Sequence, residues 1–456
     1  MKTFLLSRFT AALACASFLV PAFVSSAKNP APEAVQLRLE LDRPLLPSGG
    51  TERAVIRVSL DGIRLPRPQT RPPVNLALVI DRSGSMGGDK IEKAKAAAIE
   101  AVRRLSPDDV FSLVAYNNEV ETLVPSRCVG NGAGLEAAIQ SILAGGGTAL
   151  YGEVTQGAAE LRKYTEDRRY VHRLILLSDG LANVGPSSPQ DLARLGSSLI
   201  QEGISVTTIG VGLDFNEDLM TQLAQKSDGN TYFVASSRDL VGIFNAELGD
   251  VLNIVARSVV LTLEFPEGVR PLAFVGREGT IRGQGAEFTL NQLYGGQEKF
   301  ALIEVEIASA AAGTEREVAR ARLTFEDAVA GRAVTVKAAG AVRYTASEKE
   351  AVKAANRSVQ VDYARNVTAM IKDDVVVLVD AQRKEEAARQ FLARNRELEK
   401  MATTYGNAEV KSVVSANVAE AERIARDGLD NAARKTYRAE NAQVKSQQAV
   451  GSASSK

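Results

Sequence analysis

The chain has 456 residues, with 55 lysines and arginines against 55 aspartates and glutamates, two cysteines, one histidine and no tryptophan. That balance supplies no field to draw the molecule onto nucleic acid or an anionic membrane, and Cys15, Cys128 and His172 cannot by themselves build a Cys/His zinc centre or a disulfide framework. Hydrophobic residues make up 45% of the chain, a globular fraction, and the length suggests roughly three domains of about 150 residues each.

Residues 1–27 read as a secretory signal: Lys2 and Arg8 open it, Phe9 to Val24 is apolar, and Ser25 and Ala27 suit the −3 and −1 positions of a cleavage site. The apolar run is short for the ~20 residues of a membrane span. Left uncleaved, it would tether the protein. A lipoprotein signal at Cys15 fits less well, because Ala12 stands where a branched apolar residue belongs. The expected location is therefore periplasmic or secreted. The mature chain keeps Cys128 as its single cysteine, so it relies on core burial instead of disulfides.

Within residues 28–73, Leu37, Leu39 and Leu41 alternate with Gln36, Arg38 and Glu40, and Ile56, Val58 and Leu60 repeat the pattern. Period two predicts half-buried strands. Pro66, Pro68, Pro72 and Pro73 mark a linker, since proline removes donors and fixes φ. Val74–Ile80 is a continuous apolar run, as expected of a strand covered on both faces. The alternation that follows predicts strands over 74–80, 109–116, 120–124, 173–178, 204–211 and 230–235. It predicts helices over 89–105, 133–143, 150–164, 189–202, 216–226 and 238–256. Buried strands alternating with helices give an α/β fold over 74–256, a doubly wound and mostly parallel sheet. From 257 to 345 period two returns, as in Val259, Leu261, Leu263 and Phe265. The N-terminal strands are too few to be stable alone. They are expected to join 257–345 in one β-sandwich, with the α/β domain inserted between them. Residues 346–446 shift to Ala, Glu, Lys and Arg and suggest three or so helices breaking near Gly406; 447–456 reads as a disordered tail. Val375–Val379 is too short to span a membrane.

The strand Val74–Ile80 ends in Asp81-Arg82-Ser83-Gly84-Ser85, which places three oxygen-bearing side chains at alternate positions just before a helix. Thr148 follows Gly145-Gly146-Gly147 and precedes another helix, and Asp179 ends the apolar strand Leu174–Leu177. In an open parallel sheet, ligands bind beyond the carboxyl ends of the strands where the strand order reverses. If the first and fourth strands are neighbours, the two carboxylates meet there. Two carboxylates and three hydroxyls form a hard-oxygen set that suits Mg²⁺ or Mn²⁺ over zinc. Neutral hydroxyl ligands leave the ion much of its charge, so it can bind an Asp or Glu of a partner protein. Taken singly, Asp, Ser and Thr at such places also serve as helix caps and turn residues.

Residues 74–256 resemble a von Willebrand factor A domain. Asp81-Arg82-Ser83-Gly84-Ser85 matches that family's DxSxS element, Thr148 its isolated threonine and Asp179 its distal aspartate, together a complete metal-ion-dependent adhesion site. The resemblance implies that Ser83, Ser85 and Thr148 contact the ion directly while Asp81 and Asp179 act through water. It also implies that site closure shifts the helix over 238–256 against the sandwich. The flanking regions resemble those of exported bacterial proteins that carry this domain between β elements.

Other chemistries fare worse. A catalytic triad needs His172, which stands at the start of an apolar strand and reads as a packed residue. Gly130, Gly132 and Gly134 read as a loop, and Cys128 as a small buried hydrophobe. The sequons at Asn356 and Asn366 fall in predicted helix. The expectation is an exported, non-enzymatic, metal-dependent binding or adhesion module. The alternatives are a cell-envelope scaffold acting through the C-terminal helices and, behind that, a metal-dependent hydrolase.

Overall fold

The computed structural model describes residues 34–64, 71–147, 150–180 and 186–448. The expected leader, Pro66 and Pro68 of the linker, Thr148 and the tail from Ala449 lie outside those residues. Three strands open the described chain: β1 (Val35–Leu41), β2 (Leu45–Pro47) and β3 (Glu52–Gly62). β1 and β3 pair antiparallel, with Leu37 opposite Leu60 and Leu41 opposite Ile56.

Next comes the α/β unit. Its strands are β4 (Val74–Asp81), β5 (Val110–Tyr116), β6 (Val120–Cys128), β7 (Val171–Ser178), β8 (Ile204–Val211) and β9 (Thr231–Val234). They form one sheet in the order β6-β5-β4-β7-β8-β9, parallel throughout except for the hairpin partner β6. β4 shows why its sequence is apolar without alternation. Leu76, Leu78 and Ile80 face a layer made by α1 (Asp89–Arg103), α2 (Leu135–Gln140) and α6 (Leu240–Val251). Ala77 and Val79 face a layer made by α3 (Leu150–Arg162), α4 (Pro189–Gln201) and α5 (Glu217–Lys226). At Gly157 in α3 a Cβ would lie 2.7 Å from Val79 and 2.8 Å from Leu174, so glycine sets how closely this helix approaches the sheet. Arg71 guards the entry: it pairs at 2.5 Å with buried Asp109, whose other oxygen accepts the Val74 N–H at 2.8 Å.

The helix expected over 238–256 ends at Val251. Ile254, Val255 and Ala256, all fully buried, instead begin β10 (Ile254–Glu264). The segment fits either period, and pairing with a partner strand decides: Ile254 lies opposite Tyr294 and Ala256 opposite Leu293. The remaining strands are β11 (Val269–Val275), β12 (Thr280–Arg282), β13 (Gly285–Tyr294), β14 (Glu298–Ile307), β15 (Glu315–Asp327) and β16 (Arg332–Thr345). Two sheets result, β1-β3-β14-β11 and β12-β13-β10-β15-β16-β2, and one apolar core lies between them. The N-terminal strands thus enter both layers of a β-sandwich into which the α/β unit is inserted.

β3 is not half-buried as its alternation predicts. Ile56, Val58 and Leu60 fill the sandwich core, but Val55 on the other face packs with Val275, Leu302 and Val359. The cover is the helical region, α7 (Glu348–Lys353), α8 (Arg357–Asp380), α9 (Lys384–Tyr405), α10 (Ala408–Asp427) and α11 (Asn431–Ser446), so five helices stand where about three were expected. Arg57 is drawn into this interface because Glu40, at 2.6 Å, and Asp362 of α8 both pair with it. Asn356, Asn407 and Asp430 cap α8, α10 and α11 through their side chains, and Gly406 ends α9 at φ 57°. No described helix is long and apolar enough to cross a membrane.

α11 leaves the other helices to lie on the α/β unit. Lys435 is 2% exposed and its ammonium pairs with Glu217 of α5 at 2.5 Å, 4.3 Å from the centre of the Phe215 ring. Gln447 and Gln448, assigned to a disordered tail, are instead held. Gln447 accepts the Phe300 N–H at 3.1 Å, and the Gln448 amide bonds both the N–H and the C=O of Thr231 on β9. Removing one partner of a buried pair leaves an uncompensated charge. Glu217→Ala is therefore expected to cost about 3 kcal/mol in urea unfolding at neutral pH; an unchanged midpoint would contradict the buried pairing.

Candidate metal centre

Both carboxylates that the sequence singles out lie at strand ends. β4 pairs with β7 along its length, Ile80 opposite Leu177, so Asp81 and Asp179 leave neighbouring parallel strands side by side. The strand order reverses here, because β5 and β6 follow on one side of β4 while β7, β8 and β9 lie on the other. Both aspartates are fully buried, Ser83 is 2% exposed, and Ser85 is exposed, so the cluster opens to solvent on the Ser85 side.

The side chains form a continuous hydrogen-bonded chain. Asp81 Oδ1 accepts the Ser83 N–H at 2.8 Å, and its Oδ2 accepts the Ser178 hydroxyl at 2.7 Å. Ser83 Oγ and Ser85 Oγ lie 3.0 Å apart. Ser85 Oγ donates to Asp179 Oδ1 at 2.7 Å, and Lys90 of α1 donates to Asp179 Oδ2. Burial pushes the Asp81 carboxyl above its usual range, and the bonds from Ser83 and Ser178 oppose that rise. Tyr116, opposite Asp81 on β5, titrates well above its usual range because it is fully buried beside Asp81 and Glu153.

Four of the five residues expected to bind metal are thus brought together; the fifth, Thr148, lies outside the described residues. The loop leading to it rests against the serine loop. Gly84 N–H donates to Gly146 O at 2.9 Å and Gly145 N–H to Arg82 O at 2.7 Å. Asn117 donates to Gly145 O at 2.8 Å, and Asn118 accepts the Gly147 N–H at 2.8 Å. Gly146 has φ 89°, and a Cβ there would come within 3.1 Å of Asn117, so glycine fits this position on both counts. Lys90, Ser178, Asn117 and Asn118 escaped the sequence reading. Ser178 adjoins Asp179, which was a usable signal; a lysine in the first turn of a helix carries none.

The assembled donors are oxygens alone, a preference of hard divalent cations. Among the described residues there is no group of three or more His, Cys, Asp or Glu that could hold a metal by the commoner route. His172 lies near the opposite end of β7, about 23 Å from Asp179 along the strand. Its ring nitrogen sits 3.1 Å from the Asn75 amide, and the residue is 7% exposed. Cys128, expected to be buried, is exposed: it ends the edge strand β6, where both pairing and cover run out.

The fold and strand order define a doubly wound, Rossmann-like α/β domain inserted in a β-sandwich. Residues 75–246 match the von Willebrand factor type A domain family, so this unit is a von Willebrand factor A domain. The uncharacterized protein sll0103 of Synechocystis sp. is 29% identical over 272 residues, covering 58% of this chain and 64% of that protein. Inter-alpha-trypsin inhibitor heavy chain H4 of Homo sapiens is 27% identical over 239 residues, covering 48% of this chain and 25% of that one. The chain therefore spans less than two thirds of the length of either relative. The solved von Willebrand factor type A structure from Catenulispora acidiphila superposes with a TM-score of 0.62 at 19% identity, over 84% of this chain and 89% of that one, a likeness of fold.

Burial, with Arg257 nearby, lowers the His172 pKa from 6.5 to about 4. The folded pKa lies below the unfolded one, so this contribution to stability is complete above pH 6.5 and is lost as the pH falls through about 4. The loss should reach roughly 3 kcal/mol. In urea unfolding from pH 7 to pH 4, His172→Asn should lose less stability than the unaltered protein; parallel curves would remove His172 from the account.

Proposed function

We propose that the chain is an exported protein-binding module in which Ser83, Ser85 and Thr148 hold one Mg²⁺ or Mn²⁺ directly, while Asp81 and Asp179 hold it through water. The bound ion supplies a strong Lewis-acidic point for an Asp or Glu carboxylate of a partner protein. Ser178 and the Ser83 N–H orient the Asp81 carboxylate, and the paired loops at Arg82–Gly84 and Gly145–Gly147 support a shared site for the serines and the threonine that follows Gly147. The observation that carries this reading is the hydrogen-bonded chain from Asp81 through Ser83 and Ser85 to Asp179 at the switch point of the sheet. The family match supports it. The apolar leader over 1–27 supports export to the periplasm or beyond.

A hydrolase needs a general base free of other duties. Both aspartates here already accept two hydrogen bonds, which favours binding over turnover. The C-terminal helices cover β3 and clasp the α/β unit, and this favours a structural role for them over service as a separate scaffold.

Magnesium titration by calorimetry should show uptake of one ion. Ser83→Ala and Asp179→Ala should each weaken it at least about tenfold. Partner capture from the native host should succeed with Mg²⁺ and fail with EDTA or with Asp81→Ala; equal recovery in all three would reject the function.

A further inference from the structure

Lys90 stands second in α1, with its side chain 28% exposed, and its ammonium pairs with Asp179 Oδ2. The other oxygen of the same carboxylate takes the Ser85 hydroxyl at 2.7 Å. Lys90 is thus the one cation, among the described residues, in contact with the oxygen cluster. Its ammonium passes over Gly212, which follows β8 at a φ of 76° and whose missing Cβ would only touch Nζ at 3.4 Å. The neighbouring acid on α1, Asp89, is already engaged by the Ser237 hydroxyl at 2.7 Å.

We propose that Lys90 is a tethered cation that competes with the divalent ion for Asp179 and so sets the affinity of the site. The inference rests on the metal-binding reading above and concerns the regulation of that same site. A buried carboxylate needs a counter-charge. Lys90 supplies one to Asp179. Were a divalent ion held through water by Asp179, two positive charges would share one carboxylate. Their repulsion, even under solvent-like screening, weakens binding by about tenfold. The site then responds to changes in free ion concentration instead of remaining saturated.

The test is calorimetric titration of the full chain with Mg²⁺, comparing the unaltered protein with Lys90→Met, which keeps the aliphatic stem, and Lys90→Arg, which keeps the charge. Lys90→Met should bind about tenfold more tightly and melt at a lower temperature in EDTA. Lys90→Arg should match the unaltered protein in both. Equal or weaker binding by Lys90→Met overturns the competition and leaves the metal site standing. No uptake by any of the three overturns both.

Discussion

Two carboxylates sit side by side, fully buried, at the ends of adjacent parallel strands, and their burial constrains everything near them. A buried acid without donors is costly. The surroundings meet that demand group by group: a backbone N–H and a serine hydroxyl for Asp81, another serine hydroxyl and an ammonium for Asp179. The serine loop must therefore turn tightly after β4, and the glycine loop before Thr148 must lie close enough for two backbone hydrogen bonds. The concentration of hydroxyls that results is what a hard cation would find.

The domain around this cluster is gripped from several sides. Arg173 of β7 and Glu247 of α6 are both fully buried and lie 3.7 Å apart. Glu247 also accepts from Thr207, Asn230 and Tyr232, while Arg173 donates to Gln292 of β13 at 3.0 Å and to the Tyr294 hydroxyl. This network ties the last helix of the α/β unit to the sandwich through charge and geometry. A shift of α6, as the family resemblance implies on site closure, would have to rearrange a network in which each buried polar group depends on its neighbours. α11 grips α5, on the other face of the same sheet, through Lys435 and Glu217.

What the sequence disclosed followed from local physics. Val74–Ile80 and Leu174–Leu177 are apolar without alternation because helices cover both faces of their sheet, and the polar residues that end them mark the strand ends. What it withheld depends on distant partners. Arg57 lies on the face of β3 that the alternation leaves to solvent, yet it is buried, because α8 comes to lie on it from some 300 residues away. Ile254 and Val255 satisfy helical spacing as well as strand spacing, and only the partner β13 settles the matter. Lys90 is indistinguishable in sequence from any solvated helix lysine until the fold sets Asp179 in front of it.

β9 is the outermost strand of its sheet, and the Gln448 side chain takes up the backbone of its first residue, Thr231, from 217 residues further along. Until that glutamine is made, Thr231 offers its backbone to any passing strand, a known route to self-association. A ribosome must synthesise the whole sandwich and helical region before the gap closes. Chains not yet fully made or folded therefore pass through an interval in which this strand edge is open to pairing.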